Sequence, residues 1–371
     1  MNGYFDWNAT APLHPAAREA WLEASARFWY NPSGLYREGA EARERLEECR
    51  ERAAGLLGCE PGAIVFTSGA TEADNAVLRW VAGQGAAPVV VSAIEHPAVS
   101  EPAAAWLGER LRSWPCGADG LADLGWLADF LERQRPVLVS LMAANNETGA
   151  LQPWREAAEL CARHGVRFHC DAAQWCGRLP SDGLGGCDFV TVSGHKFGGP
   201  KGVGLLKLPA ELNGFRSFRG GQQEERRRAG TENLPGVAAM LAAWEAAEVL
   251  VSDAAAMPAE PRDAFEARLA SAVPDIEVLS RRVPRLWNTS LLLVPRGPNV
   301  KWVARLSRSG FQVSTGSACS RGGGASEVLT AMGIPAERTG AALRISSGWS
   351  TGASAWQALA ARLMALSDEI G

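Results

Sequence analysis

The sequence lacks the features that mark membrane-bound, secreted or metal-binding chains. Its amino-terminal residues show no basic stretch followed by an apolar one, and no run approaches the roughly 18 apolar residues of a membrane span. None of the 8 cysteines forms a Cys-x-x-Cys pair, so their spacing gives no support to a zinc or iron–sulfur site. We therefore expect a cytoplasmic protein without a bound metal.

A strong charge imbalance is also missing, because 37 basic and 41 acidic residues leave a net charge of −4. This balance gives no electrostatic reason to expect a nucleic acid or an anionic membrane as a partner. Internal repeats and extended low-complexity tracts are absent as well. A chain of 371 residues is too long for one compact core and suits two domains.

The predicted domain boundary follows an alanine-rich helix at residues 238–251, where a linker-like segment spans residues 252–261. We predict a large domain over residues 13–255 and a smaller α+β domain formed by residues 1–12 and 256–371. The elements expected in the smaller domain are strands at residues 286–294 and 343–346 and a last helix at residues 353–367.

Within the predicted large domain, short apolar runs rich in β-branched residues alternate with helical segments. Such alternation predicts an α/β domain built on a mostly parallel, doubly wound sheet. The apolar runs occupy residues 64–66, 88–94, 137–142, 166–170 and 188–192.

Polar residues follow four of these predicted strands. Because ligand-contacting side chains gather at the carboxyl ends of parallel strands, we expect these residues to line one site. The convergence of four strand ends is a stronger indication of a site than any single motif. The residues concerned are His96, Asn146, Asp171 with Gln174, and Lys196.

The first predicted strand leads into the segment Thr67-Ser68-Gly69-Ala70-Thr71, a tight turn that begins a helix. A helix N-terminus offers free amides and the positive end of a dipole to a phosphate, and Gly69 lets the backbone approach it closely. The alternative is a plain helix start, in which Thr71 is the N-cap and Asp74 completes a capping-box-like pair. A reactive lysine downstream makes phosphate binding the favoured interpretation.

That lysine lies in a glycine-rich turn between two apolar runs, in the segment Ser193-Gly194-His195-Lys196. A lysine that is buried or crowded by other cations loses its proton more easily, and its amine becomes a nucleophile toward carbonyl groups. Most lysines in turns are simply solvated. This segment, however, resembles the Schiff-base motif of pyridoxal-phosphate enzymes of the class V aminotransferase family. The resemblance implies that Lys196 forms the covalent link to the cofactor.

The resemblance extends over nearly the whole chain, in blocks that follow the family's order. The combination is similar to that of cysteine desulfurases, and Ser317-Ala318-Cys319-Ser320 resembles the motif of their group-I branch. It implies the type I pyridoxal-phosphate-dependent transferase fold, with a large doubly wound domain and a smaller α+β domain. The blocks lie at residues 4–12, 67–75, 95–96, 145–153, 169–174, 193–204, 228–233, 314–320 and 343–348.

The resemblance also assigns contacts with pyridoxal 5'-phosphate. Asp171 is implied to pair with the protonated pyridine nitrogen, and His96 to stack on the ring and shuttle protons. Gln174 and Asn146 are implied to hold the phenolic oxygen of the ring and the bound substrate. Thr231 resembles the threonine that reaches the phosphate of the other subunit, which implies a homodimer. The remaining phosphate contacts are assigned to Ala70, Thr71, Ser193 and His195.

The implied reaction removes sulfur from L-cysteine, with Lys196, Cys319 and His96 as catalytic residues. Arg344 would bind the substrate carboxylate, a bidentate task suited to a guanidinium. After the Cα proton has left, the Cys319 thiolate would attack the substrate sulfur, which leaves a persulfide on Cys319 and releases L-alanine. The sulfur would pass to a protein acceptor, a scaffold or relay protein, in iron–sulfur cluster assembly or thiolation pathways.

Three departures from the family pattern bear on the acceptor rather than on the cofactor. Trp7 stands where the family commonly has asparagine, and Gly322-Gly323-Gly324 replaces a longer-chained run after Cys319. The segment at residues 31–36 lacks the family's usual histidine. These changes leave the cofactor residues intact, and they put the choice of acceptor and the reach of the cysteine loop in question.

Two rival interpretations remain open at the level of the sequence. One is another enzyme on the same fold, an aminotransferase or a selenocysteine lyase, and transamination should not need Cys319. The other is a scaffold that binds a partner and holds the cofactor without turnover. Release of alanine from cysteine would distinguish the second rival from an enzyme.

Overall fold

The computed structural model describes residues 3–212, 214–253, 257–316 and 326–370. Within this part of the chain, one sheet contains seven strands in the order β1-β7-β6-β5-β4-β2-β3. Strand β7 runs antiparallel to both of its neighbours, and the other pairs are parallel, which confirms the predicted mostly parallel sheet. The strands are β1 Ile64–Thr67, β2 Val89–Ser92, β3 Leu111–Trp114, β4 Leu138–Ser140, β5 Arg167–Asp171, β6 Phe189–Ser193 and β7 Gly204–Lys207.

Helices cover both faces of this sheet, which explains why strands such as β1, β2 and β6 are buried along their whole length. On β6, Val190 and Val192 enter one hydrophobic cluster, whereas Phe189 enters the cluster on the opposite face. The helices of this region are α1 Pro15–Arg27, α2 Arg37–Leu57, α3 Ala70–Ala82, α4 Pro97–Leu107, α5 Leu124–Arg133, α6 Trp154–Arg163 and α7 Leu234–Ser252.

The start of α3 decides between the two interpretations of its first turn. Gly69 is the N-cap, with φ 147° and ψ −177°, and Thr71 is already the second residue of the helix. The interpretation of Thr71 as the N-cap is therefore wrong. The backbone amide of Ser68 instead donates to the Glu72 carboxylate at 2.8 Å. This arrangement leaves the first amides of α3 without intrahelical acceptors.

Helix α7 is long and apolar enough to cross a membrane by length and composition, with a mean hydropathy of 1.5. In the described chain it lies in the hydrophobic core, packed against α1 and α2. Its two carboxylates have partners inside the protein: Glu245 pairs with Arg52, and Glu248 accepts from the Trp244 indole at 3.1 Å. Packing within the protein thus accounts for its apolar composition.

A second sheet of four antiparallel strands, in the order β10-β11-β9-β8, forms the smaller unit in the described residues. The two strands expected from the sequence are present, and β8 and β10 add two residues each. These elements are α8 Glu260–Ala272, β8 Glu277–Val278, β9 Thr289–Leu293, α9 Asn299–Arg308, β10 Ser314–Thr315, α10 Glu327–Ala331, α11 Ala336–Thr339, β11 Ala342–Ser346 and α12 Ala353–Ile370.

The amino-terminal residues join this second sheet rather than the first. Tyr4 and Asp6 form bridges to Gln312 and Ser346, and Phe5 lies in the hydrophobic cluster of the smaller unit. The chain then crosses to the turn Gly194–Lys196, called the lysine turn below, where the Ala11 amide donates to the His195 carbonyl at 2.9 Å. The predicted division between residues 255 and 256 falls among residues that the structure does not describe, and it stays a prediction.

Candidate active site

The carboxyl ends of strands β2, β4, β5 and β6 meet at a cavity of about 480 Å³. The start of α3 and the amino-terminal residues Ala9 and Thr10 complete its wall. The convergence expected from the sequence is therefore present. Nine of the twelve predicted site residues line this cavity: Ala70, Thr71, His96, Asn146, Asp171, Gln174, Ser193, His195 and Lys196.

Lys196 ends a single 3-10 turn, Gly194–Lys196, between β6 and β7. Its Nζ donates to the carbonyl oxygens of Asn8 at 2.7 Å and Ala9 at 3.1 Å. Burial, followed by the charges of Arg344 and Arg178, lowers the pKa of Lys196 to about 7. A substantial fraction of this amine is therefore unprotonated at neutral pH, which is the form that attacks a carbonyl carbon.

Asp171 ends β5, and its Oδ1 accepts from the Ala173 amide at 2.9 Å. Burial, followed by the nearby Asp74 carboxylate, raises the pKa of Asp171 to about 7. A cationic group placed in the cavity would favour the ionised form of this carboxylate. The position therefore suits a ligand that carries a protonated ring nitrogen.

A buried polar cluster beneath Asp171 was not expected from the sequence. His169 Nδ1 lies 2.9 Å from Ser140 Oγ, and His169 Nε2 lies 3.1 Å from Thr191 Oγ1 and 3.4 Å from Asp74 Oδ1. Burial raises the pKa of Asp74 to about 7 and lowers that of His169 to about 4. Both groups are therefore uncharged in weakly acidic solution.

His96 is the N-cap of α4, where its Nδ1 accepts from the Ala98 amide at 3.1 Å. Burial, with the charges of Lys196 and Arg344, lowers the pKa of His96 to about 4. The ring is therefore neutral at pH 7, and its single proton resides on Nε2 because Nδ1 is an acceptor. One nitrogen that can donate a proton thus remains available for a ligand.

Two amide side chains in the cavity have unused hydrogen-bonding atoms. Gln174 Nε2 donates to the Asn8 carbonyl at 3.0 Å, whereas Gln174 Oε1 has no partner among the described residues. Asn146 Oδ1 is likewise buried without a partner in that part of the chain. Because unpaired buried polar atoms are costly, both positions favour a polar ligand.

The cavity wall formed by the start of α3 suits a phosphate, because the first amides of a helix are free donors. Ser193 lies close to Gly69 in this wall, and Lys201, which the sequence interpretation did not include, also lines the cavity. His195 Nδ1 lies 3.1 Å from Thr10 Oγ1. A Cβ at Gly204 would lie 2.7 Å from the Gly69 Cα, so the turn requires glycine for close approach of the two backbones.

The other three predicted residues lie elsewhere. Arg344 on β11 is buried outside the cavity wall, where Nη2 donates to Asp6 Oδ1 at 2.9 Å and Nη1 to the Asn146 carbonyl at 3.0 Å. Thr231 is exposed and does not line the cavity of its own chain as described. Cys319 lies outside the described residues.

Sequence reasoning missed the amino-terminal contribution to the site. Asn8 is buried, and its Nδ2 donates to Thr289 Oγ1 at 2.9 Å and to the Asn146 carbonyl at 3.3 Å. Its carbonyl also accepts from both Lys196 and Gln174. The available signal was the polar asparagine within the family block at residues 4–12, which did not indicate that main-chain carbonyls would contact the lysine.

Comparisons with known proteins agree with this geometry. The family model described as "Aminotransferase class-V" matches residues 3–351. The chain is 34% identical over 356 residues to "Cysteine desulfurase IscS" of Dictyoglomus turgidum, covering 93% of this chain and 89% of that protein. It is 37% identical over 359 residues to "Cysteine desulfurase" of Cereibacter sphaeroides, covering 94% and 92%. The X-ray structure of a NifS-like protein from Rickettsia africae superposes with a TM-score of 0.90 at 28% identity, over 99% of each chain.

Proposed function

The chain belongs to the class-V aminotransferase family, with the type I pyridoxal-phosphate fold, and we propose that it is a cysteine desulfurase that uses pyridoxal 5'-phosphate. Its substrate is L-cysteine and its products are L-alanine and a protein-bound sulfur atom. The observation that carries the proposal is the position of Lys196, a partly buried lysine whose Nζ is held by two main-chain carbonyls and which shares one cavity with the buried carboxylate of Asp171.

The residues present fit the cofactor. The first amides of α3, with Ser193 and His195, offer donors for a phosphate, and Asp171 lies where it can hold the proton of a ring nitrogen. Gln174 and Asn146 have the unused amide atoms that a polar ring substituent or the substrate would satisfy. When bound, the cofactor supplies an aldehyde for the lysine amine and a protonated ring that accepts electrons from the substrate Cα.

Two residues of the chain are assigned the proton movements. The Lys196 Nζ titrates near neutral pH, so it can take a proton from the substrate Cα and return it to the product. Neutral His96 has Nδ1 occupied by the Ala98 amide, which leaves Nε2 as its proton donor. The assignment thus gives the lysine the task of a base and the histidine that of a donor.

Arg344 is assigned the substrate carboxylate. Its guanidinium is buried, it is held by Asp6 and by the Asn146 carbonyl, and its Nε has no partner among the described residues. A carboxylate that replaced the Asp6 contact would meet two donors of a rigid fork. Substrate binding would then compete with the ion pair between Arg344 and Asp6.

The Cys319 thiolate is assigned the transfer of sulfur. The bond between the substrate Cβ and sulfur breaks as a sulfur–sulfur bond to Cys319 forms, which leaves a persulfide on the chain. A thiolate is the nucleophilic form of cysteine, so the attack requires loss of the thiol proton. The persulfide then passes its outer sulfur to an acceptor protein, and the proposal places this transfer in the cytoplasm.

The test is turnover of cysteine by the Cys319→Ala variant, with Cys116→Ala as the matched control because Cys116 is a half-buried free cysteine. The parent and the control should release alanine and gain the mass of a sulfur atom that a reductant removes. The Cys319→Ala variant should retain the cofactor, form no persulfide and release almost no alanine. Alanine release near the parent rate would mean that sulfur leaves by another route, as in a selenocysteine lyase.

A further inference from the structure

Arg178 is a buried cation without an anionic partner among the described residues. It is 4% exposed, and no carboxylate in that part of the chain lies within 4.0 Å of its guanidinium. Its two recorded donors contact carbonyl oxygens only, Nη1 that of Gln174 at 3.3 Å and Nη2 that of Trp7 at 3.2 Å. Burial of a charge in this way is costly, so its retention calls for a function.

The position of Arg178 is fixed by its neighbours. The preceding Gly177 has φ 72°, and a Cβ there would lie 2.3 Å from the Cβ of Phe197, the residue that follows the reactive lysine. The Arg178 carbonyl accepts from the Trp287 indole at 3.1 Å. Arg178 is therefore held against both the lysine turn and the amino-terminal segment that accepts from Lys196.

The charge of Arg178 and the main-chain carbonyls of Asn8 and Ala9 act on Lys196 Nζ in opposite directions. The carbonyls of Asn8 and Ala9 stabilise a protonated Lys196 Nζ, whereas a nearby positive charge disfavours it. Arg178 itself remains a cation at neutral pH, although burial and then the charge of Arg344 lower its pKa to about 10. The charged and titratable groups that act on or respond to Lys196 are Asp6, His96, Asp171, Arg178, His195 and Arg344.

We propose that Arg178 is a positioning residue whose uncompensated positive charge, held against the lysine turn, favours the unprotonated form of the Lys196 nitrogen. Arg344 contributes the same sign of charge, but in the described chain it is paired with Asp6 and is assigned to the substrate. Arg178 has no carboxylate partner among the described residues and is not assigned to the substrate. Its charge is therefore the same throughout turnover. The inference rests on the proposed function only in requiring that Lys196 binds the cofactor.

The test is a pH titration of the visible absorbance of the cofactor-bound protein without cysteine. Arg178→Gln keeps hydrogen-bond donors and removes the charge, and Arg178→Met removes both. In each variant the midpoint should rise by about 1 pH unit, since a neighbouring charge typically moves a pKa by about 1–3 units. Arg178→Lys restores the charge and should return the midpoint to that of the parent.

The matched control is Arg227→Gln, because Arg227 is also buried and donates to carbonyl oxygens, those of Gly62 and Ala210. Its midpoint should not move. If Arg178 only clamps the main chain, the Arg178→Gln and Arg178→Met variants will melt at lower temperature with the parent midpoint, and the proposal is wrong. A lysine variant that fails to restore the midpoint would also overturn it.

A second measurement does not depend on cofactor binding. Competitive labelling of the cofactor-free chain with acetic anhydride, followed by peptide mass spectrometry, reports the pH at which the Lys196 amine loses its proton. Arg178→Gln should again raise this pH, and an unchanged labelling profile contradicts the proposal. A parent chain that takes up no cofactor would refute the proposed function, whereas the labelling result would still decide the role of Arg178.

Discussion

Lys196 and Asp171 lie in one cavity and have pKa values that burial shifts in opposite directions, to about 7 in each case. Burial disfavours the charged form of either group, so the lysine tends toward the amine and the aspartate toward the acid. Near pH 7 each group is therefore present in both its charged and its uncharged form. A site of this kind can accept a cationic ring and release an amine proton under the same conditions.

We predict that Lys196 alone carries the cofactor. Borohydride reduction of the parent protein should fix pyridoxal phosphate to the chain, because the reduced carbon–nitrogen bond is irreversible, and Lys196→Ala should abolish this attachment. The matched control is Lys201→Ala, since Lys201 lines the same cavity. Peptide mass spectrometry that found the label on Lys201 or Lys207 would overturn the assignment.

A second prediction concerns Asp74, whose pKa burial raises to about 7. The folded chain then binds a proton that the unfolded chain has lost above about pH 4, so the contribution of Asp74 to stability decreases as the pH rises from about 4 to 7. Asp74→Asn removes this dependence. Relative to the parent, the free energy of unfolding of the variant should gain about 2 kcal/mol between pH 5 and pH 8.

Urea unfolding of the cofactor-free proteins at the two pH values measures this difference. Asp129→Asn is the control, because Asp129 is an exposed residue on α5 with 76% of its side-chain surface accessible. If the free energies of unfolding of the parent and of Asp74→Asn differ by the same amount at pH 5 and pH 8, Asp74 is ionised in the folded chain at both pH values and the prediction is wrong.

Most cavity residues that follow strands could be predicted from the sequence, whereas residues that act through other residues could not. His96, Asp171 and Lys196 follow predicted strands, and parallel strands bring their carboxyl ends together whatever the packing above them. The roles of Arg178 and of the Asp74–His169 pair depend on which polar side chains are buried and on what surrounds them. Burial of a polar side chain is a tertiary property, and the local sequence does not contain it.

Among the loops, the polar segment that carries Thr231 contains a feature typical of strained turns. Glu224, Glu225 and Arg226 all have positive φ, at 48°, 54° and 67°. Non-glycine residues in this conformation cost about 1 kcal/mol or more each and persist only when other contacts hold them. Here the buried Glu224 carboxylate accepts from Arg50 at 2.8 and 3.1 Å and from the Phe66 amide at 2.9 Å.

We predict that Glu224→Ala lowers the free energy of unfolding by about 3–5 kcal/mol, because it removes the buried partner of the Arg50 guanidinium, which keeps only the more exposed carboxylate of Glu47. Glu225→Ala is the matched control. It lies in the same left-handed turn, but 75% of its side chain is exposed, so its loss should change stability by less than about 1 kcal/mol. Equal effects of the two substitutions in urea unfolding would contradict the role of the buried pair.

At the level of whole elements, long periodic helices were predicted closely and short edge strands were not. The last helix, predicted at residues 353–367, is α12 Ala353–Ile370, and the helix predicted at residues 238–251 is α7 Leu234–Ser252. Strands β8 and β10 contain two residues each, and they exist only because longer strands of the second sheet lie beside them. Two residues are too few to show an alternating pattern.

For the molecule as a whole, we predict a homodimer in which Thr231 completes the phosphate site of the partner. Thr231 is exposed and lies outside the cavity of its own chain in the described structure, so a contact with that phosphate would have to come from a second copy. Thr231→Val should weaken cofactor binding about tenfold, as expected for loss of one hydrogen bond to a charged group.

Mixing experiments give this prediction a direct test. A dimer of one Lys196→Ala chain and one Thr231→Val chain retains a single site in which the lysine and the threonine come from different chains. In an equimolar mixture about half of the dimers should contain one chain of each kind. Each of these dimers should bind the cofactor with parental affinity at one of its two sites. Light scattering that gives a monomer with normal affinity, or a mixture without recovery, would rule out the shared site.

The mostly parallel sheet was predictable because strand and helix alternate along the chain, but its strand order was not. Strand β7 inserts between β1 and β6 and is antiparallel to both, a consequence of the short connection through the lysine turn. Residues 1–12 were grouped with residues 256–371, but the bridges that join residues 4 and 6 to Gln312 and Ser346 were not predicted. Neither pairing leaves a local pattern in the sequence.

The amino-terminal segment imposes an order on biosynthesis. The carbonyls of Asn8 and Ala9 are translated well before Lys196, and the Asn8 amide finds its acceptor only at Ser346 Oγ, 338 positions later. Closing loops of this length costs conformational entropy before it gives any stabilising contact. The main-chain segment that holds Lys196 can therefore be anchored through Ser346 only after nearly the whole chain has left the ribosome.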